Sequence, residues 1–213
     1  MKENLVKLID RLVKRYRYDE PIFTEEILDV WKEYSRVRVA QLLKELTENG
    51  VMIKYMKGVY YLPTMTALGR PYRLGLRQVV EKKYIRSEGD VYGYYSGLSL
   101  LNSLGLTTQV PNTLEIVTTK ETTRVREITI RNSTLILRKA RTIVTKDNVY
   151  ALALLEVMNE NGIEFGKEEI EAIREFVKLR GIKQNDVFTY ASAFPGKAIK
   201  NLLNIGVQNV FAQ

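Results

Sequence analysis

Residues 35–63 read SRVRVAQLLKELTENGVMIKYMKGVYYLP, and two periodicities in succession decide what this stretch folds into. Val39, Leu42, Leu43 and Leu46 recur at spacings of three and four, which gathers them on one side of a helix. Ser35 is placed to cap its start, and Gly50 follows its end, where left-handed backbone is common and glycine adopts it freely. Beyond it, Val51–Met56 and Val59–Leu62 are two short β-rich runs joined at Lys57-Gly58 and closed by Pro63. That pattern predicts a hairpin.

Working upstream, Leu5, Leu8, Ile9, Leu12, Val13 and Tyr16 predict a helix over about 3–16 with one buried stripe and a basic opposite face. Thr24 is expected to cap a second helix, with Glu25 and Glu26 in its first turn and Ile27, Leu28 and Trp31 on its core side. Three helices followed by a basic hairpin is the order of a winged helix, whose third helix enters the DNA major groove and whose hairpin lies against the backbone.

The third helix carries the chemistry for that role. Opposite its apolar side lie Val37, Gln41 and Lys44, flanked by Arg38 and Ala40, with Arg36 in the first turn. Arg36 and Arg38 suit guanine or phosphate, Gln41 suits adenine, and Val37 suits a thymine methyl. Ser35 sits where the helix start meets the backbone, and Lys44, Lys54 and Lys57 are placed as phosphate contacts, which position without specifying. A second reading stands beside this one, in which the same residues form a solvated or protein-binding face.

Downstream, a boundary is expected near residue 65, giving a winged helix-turn-helix domain over 1–65 and a larger α+β domain over 66–213. The fold class is therefore α+β, the second part being mixed α/β and ending in helices. A helix is expected over 71–86 and a small-residue helix before Gly105. Strands follow at 113–119, 124–131 and 134–144, with a turn at Asn132-Ser133. Helices are expected over 148–159, 167–179 and 198–203. Glu168, Glu169, Glu171 and Glu175 read as a solvated helical face. Residues 194–198, FPGKA, read as a turn and helix start, lacking phosphate-loop spacing.

The chain has 213 residues, net charge +8, and neither histidine nor cysteine. Disulfides, Cys/His zinc sites and His-based nucleophilic triads are excluded. No cofactor and no metal are expected, and no catalytic residue stands out. The positive charge is concentrated in the middle third, since residues 66–147 carry net +7 against +2 before and −1 after. Such a field favours polyanions. No apolar run is long enough to span a bilayer and no signal-type segment precedes the first helix, so a cytoplasmic location without membrane contact is expected. Arg138, Lys139 and Arg141 cluster at the end of one strand, either extending a nucleic-acid surface or protecting a sheet edge.

Two motifs carry a resemblance. KGVYYLP at residues 57–63 and LGLTTQVP at residues 104–111, with an apolar helix between them and strands after, resemble the AbiEi family of type IV antitoxins over roughly residues 1–145. The resemblance implies a winged-helix repressor of its own operon that binds inverted repeats, two copies to an operator. It also implies a C-terminal domain that counteracts a nucleotidyltransferase toxin without a stable complex. On it, Ser35, Arg36, Arg38, Gln41, Lys44, Lys54 and Lys57 are DNA contacts.

The LGLTTQVP block itself has two readings. It is a helix-to-strand connector, or Thr107, Thr108 and Gln109 form an uncharged antitoxin surface, with Arg138, Lys139 and Arg141 as further candidates. Two alternatives to the family reading are kept: a nucleotide-binding or nucleotide-modifying enzyme using carboxylates such as Asp90, Glu115 or Asp147, and a winged-helix protein adaptor.

Overall fold

The computed structural model describes residues 3–161 and 164–211. The chain forms two compact units, Met1–Lys82 and Lys83–Gln213.

In the first unit α1 (Glu3–Val13) leads to a two-residue strand, β1 (Ile22–Phe23), then α2 (Thr24–Val30) and α3 (Arg36–Glu48). A hairpin follows, β2 (Ile53–Met56) and β3 (Val59–Tyr61). The antiparallel sheet has the order β1-β3-β2. Helix, strand, two helices and a closing hairpin make up the winged-helix arrangement, as the sequence predicts. The core is one cluster built from the stripes read above: Leu5, Leu8 and Leu12 of α1, Ile27 and Trp31 of the second helical segment, and Val39, Leu42, Leu43 and Leu46 of α3. Trp31 is fully buried and its indole N–H donates to the Leu8 carbonyl at 3.2 Å, so its one polar atom is satisfied.

The second helix starts one residue earlier than its expected cap. Phe23, not Thr24, occupies the N-cap position. The Thr24 N–H is taken by the Gly58 carbonyl at 3.0 Å, tying the wing turn to the helix start, while the Glu26 carboxylate accepts the Phe23 N–H at 2.7 Å. β1 is absent from the sequence reading because two residues show no periodicity.

The first unit continues beyond residue 65, as far as Lys82. The segment after β3 folds back, with Thr64 N–H donating to Asp19 Oδ1 at 2.9 Å and the Tyr61 hydroxyl donating to the Tyr72 carbonyl at 2.9 Å. Pro71 and Gly75 keep the chain non-helical until α4 (Leu76–Tyr84), shorter than the 71–86 expected. Lys82, 8% exposed, holds that helix in place. Its ammonium lies 3.1 Å from both Glu20 and Glu26, donates to the Pro21 carbonyl at 2.7 Å, and stands 4.7 Å from the Tyr16 ring centroid. Two carboxylates, a carbonyl and a π face satisfy a cation that could not otherwise be buried.

The second unit opens with a hairpin, β4 (Arg86–Ser87) and β5 (Asp90–Val91), followed by β6 (Gly93–Ser96), α5 (Gly97–Ser103), β7 (Thr113–Thr118), β8 (Val125–Ile130) and β9 (Ser133–Lys139). The last four strands form one mixed sheet, order β6-β7-β9-β8, in which β7 and β9 run parallel and the other pairs antiparallel. The β8–β9 turn is Arg131-Asn132, one residue before the expected position, with Arg131 at φ 55°. β9 ends at Lys139 and not near Val144. Helices α6 (Val149–Asn159), α7 (Lys167–Arg180), α8 (Gln184–Tyr190), α9 (Gly196–Asn204) and α10 (Val207–Phe211) complete the unit. α6 is buried at Val149 and from Ala151 to Met158, with Tyr150 half-buried. It is therefore the central helix of this core, which also takes Tyr94, Val117, Ile173, Phe176, Val187, Ala198 and Leu202.

A carboxyl group lies inside that core. Glu156 of α6, 5% exposed, accepts from the Ser96 hydroxyl at 3.4 Å and is hydrogen-bonded to Tyr94. Burial raises its pKa above the usual carboxylate range, and the same cause acts on Glu160 at the end of the helix. A carboxyl whose pKa is raised on folding stabilises the fold below its unfolded pKa and loses that contribution as the pH rises through the folded value. Glu156→Gln keeps the shape and removes the buried charge. Urea titrations should find the variant equal to the wild type at acidic pH and more stable at neutral pH, by about 1–2 kcal/mol for each unit or so of upward shift. A variant uniformly weaker at both pH values would contradict this.

Candidate nucleic-acid interface

The exposed side of α3 is set by its own start. Ser35 Oγ accepts the Arg38 N–H at 3.2 Å, fixing the first turn, and Gly50 at φ 69° ends the helix region as expected. With Val39, Leu42, Leu43 and Leu46 turned into the core, Arg36, Val37, Arg38, Gln41 and Lys44 are left in water. Val37 is 71% exposed. An uncovered β-branched residue in a row of polar and basic ones is the side-chain set that major-groove contact uses.

Three of the basic residues already have partners. Both terminal nitrogens of Arg36 donate to the Glu25 carboxylate on α2, at 3.1 and 2.9 Å, the parallel two-bond arrangement of a guanidinium and a carboxylate. Arg38 Nη1 donates to Gln41 Oε1 at 3.1 Å along the helix face. Lys44 lies 3.8 Å from Glu48. In the wing, Lys54 and Lys57 are exposed, and the turn between the strands uses Gly58 at φ 79°, a conformation side chains rarely adopt. The sequence reading identified every one of these basic residues but not Glu25 as a partner. Glu25 and Arg36 sit on different helices, and an ion pair between elements has no local periodicity to reveal it.

The residues proposed for an antitoxin surface are not gathered into one patch by any contact among the described residues. Residues 105–112 form the connector from α5 to β7. Leu106 is buried, and the hydrogen bonds are local, with Asn102 Nδ2 donating to the Thr107 and Gln109 carbonyls and the Gln109 N–H donating to Thr107 Oγ1. Thr108 and Gln109 are exposed and Thr107 half-buried. Arg138 is paired with Glu115 at 2.9 Å, Lys139 is exposed, and the Arg141 guanidinium lies 5.3 Å from the Phe194 ring centroid.

Of the three carboxylates of the enzymatic alternative, two share a cleft and the third lies apart. Asp90 and Asp147 line one cleft of about 430 Å³ with Tyr92, Thr145 and Lys146, whereas Glu115 is held by Arg138 on the sheet. No group of three or more acidic residues is placed to hold a metal ion among the described residues. Lys197 of the FPGKA stretch donates to the Asn159 and Glu160 carbonyls and to Asn161 Oδ1, closing the end of α6. Of the four carboxylates of α7, Glu168, Glu171 and Glu175 are exposed, as expected for a solvated face, and Glu169 is half-buried. Among the described residues no helix is long and apolar enough to cross a membrane.

No protein-family model matches the chain, and no curated protein matches it significantly. The winged-helix arrangement and the residues it leaves exposed are therefore the ground for assigning function.

Proposed function

We propose that the protein is a sequence-specific DNA-binding repressor that also acts as the antitoxin of a type IV toxin–antitoxin pair. In this reading the winged helix binds inverted repeats in the operator of its own operon, two copies to a site. The second unit counteracts a nucleotidyltransferase toxin without forming a stable complex with it. The observation that carries the DNA-binding half is the outward face of α3, where Val37 stands 71% exposed beside Arg38, Gln41 and Lys44 while the opposite face is buried. The basic wing residues Lys54 and Lys57 add backbone contacts. The antitoxin half rests on the KGVYYLP and LGLTTQVP motifs, with the exposed Thr108 and Gln109 as its nearest uncharged surface.

Fluorescence anisotropy on duplexes from the region upstream of the gene tests the first half. The intact protein should prefer one inverted repeat over a scrambled duplex. Arg38→Ala should lose about 1–3 kcal/mol of discrimination at one base pair. Lys57→Ala should weaken binding to all duplexes alike and reduce the salt slope by about 1. An intact protein that binds all sequences equally removes the repressor reading. Co-expression with the adjacent nucleotidyltransferase tests the second half: growth should be restored, and unrelieved toxicity at full antitoxin expression removes it.

A further inference from the structure

The two arginines at the start of α3 differ in what they have left to offer, and the difference follows from their partners. An arginine at the N-terminus of a recognition helix, if mobile, is attracted to any phosphate. Arg36 is not in that condition. Glu25 takes one N–H from each of its terminal nitrogens, at 3.1 and 2.9 Å, and cancels its charge. Arg38 is oriented differently, by a neutral partner: Gln41 accepts from Nη1 at 3.1 Å through Oε1. That bond turns the Gln41 oxygen toward Arg38 and engages one of its lone pairs, so the end of the amide left free is its NH₂ group and the Arg38–Gln41 pair offers mainly donors. Adenine is read by glutamine through one acceptor and one donor together, whereas guanine offers two acceptors, O6 and N7.

We propose that Gln41 and Glu25 are positioning residues, Gln41 setting Arg38 as a reader of guanine and Glu25 withholding Arg36 from the phosphate backbone. The proposal rests on the DNA-binding reading above and assigns its specificity. Gln41 then reads no adenine of its own, in contrast to the pairing its residue type suggests. The Glu25–Arg36 pair is exposed on both sides, 70% and 75%, so it contributes little to stability. It is strong enough to orient the guanidinium and weak enough to be displaced, so its effect on binding is a few-fold and not hundreds-fold.

The experiment uses the full chain with Glu25→Ala, Glu25→Gln, Arg36→Ala, Glu25→Ala/Arg36→Ala, Arg38→Ala and Gln41→Ala, each titrated with operator and scrambled duplexes over a range of salt. One released phosphate contact corresponds to a salt-slope increase of about 0.9 and about a fivefold gain on scrambled DNA at physiological salt. Both Glu25 variants should show that gain together with a lower operator-to-scrambled ratio. The double variant should lose the gain. Arg38→Ala and Gln41→Ala should relax the same base pair, a G·C, and 7-deazaguanine at that position should reproduce the loss in the wild type. If the wild type discriminates but the Glu25 variants leave both affinities unchanged, or weaken both alike, the proposal fails while the repressor reading stands. It also fails if Arg38 and Gln41 relax different base pairs, or an A·T pair. A wild type without operator preference overturns both.

Discussion

Trp31→Ala should strongly destabilise the winged helix. The side chain is fully buried at the junction of the first three helices, in one cluster with Leu8, Leu12, Ile27, Leu43 and Leu46. Removing an aromatic ring of this size from a packed core costs about 3–5 kcal/mol, through lost burial and the cavity left behind. A unit of this size is stabilised by roughly 4–12 kcal/mol in total. The variant also removes the indole N–H bond to the Leu8 carbonyl, at 3.2 Å. Trp31→Phe separates the contributions, since it refills most of the volume and loses only the indole hydrogen bond, at about 0.5–1.5 kcal/mol, the Leu8 carbonyl keeping its partner within α1. Urea unfolding followed by circular dichroism is the appropriate measurement, because Trp31 is the only tryptophan in the chain. A midpoint for Trp31→Ala close to the wild type would show that α1, α2 and α3 do not depend on this contact, and DNA binding by α3 should be lost in step with the fold.

Gly93→Ala should be the most damaging small substitution in the second unit. A Cβ at that position would stand 2.2 Å from the Tyr84 carbonyl oxygen and 2.7 Å from that of Val117, with Thr118 Cβ at 3.1 Å. The first two are backbone atoms, one from the end of α4 and one from β7, so no rotamer change relieves the clash. β6 must move away from β7, or the Tyr84 backbone must move. The Gly93 N–H to Ile85 carbonyl bond (3.1 Å) and the neighbouring Tyr92 to Ile85 bond (2.8 Å) are then strained as well. Overpacking of this kind costs about 1–3 kcal/mol, and the absence of a yielding side chain places this site at the upper end. Gly105→Ala is the matched comparison, because its φ is 71° but nothing lies within 4 Å of the added methyl. It should cost only the backbone term, about 1 kcal/mol. Thermal melts of the two variants should therefore differ by several degrees, with Gly93→Ala lower. The opposite order would mean that backbone conformation, and not steric space, dominates.

Where helices carried their own start signals and apolar stripes, the sequence was legible. Ser35, the stripe from Val39 to Leu46, Gly50 and the Lys57-Gly58 turn define α3 and the hairpin within a few residues, and the structure has them there. Short elements escaped for a physical reason. β1 spans two residues and α10 five, too few for a period to repeat, and α8, at seven, has Val187 as its one buried residue and so shows no apolar stripe. The expected division near residue 65 followed Pro63 and Gly69, which are local turn signals. Lys82 lies within the first unit because three partners from the 20–26 region surround its ammonium, and nothing in the surrounding residues announces that. The site shows the same split. Arg36, Val37, Arg38, Gln41 and the wing lysines follow from a helical wheel and a hairpin, whereas Glu25, which determines what Arg36 is free to do, belongs to another helix and is visible only after folding.

The carboxyl of Glu156 has a consequence for how the protein registers acidity. The chain has no histidine, so no imidazole titrates near neutrality, and the groups displaced toward that range are carboxyls inside the second unit, Glu156 and Glu160, both raised by burial. Unfolding returns them to water and to their ordinary affinity for protons. Between the unfolded and folded pKa values the chain should release protons as it unfolds, and calorimetric unfolding in buffers of different ionisation enthalpy should report that release. The second unit would then act as its own indicator, with proton release marking the moment at which α6 leaves the sheet.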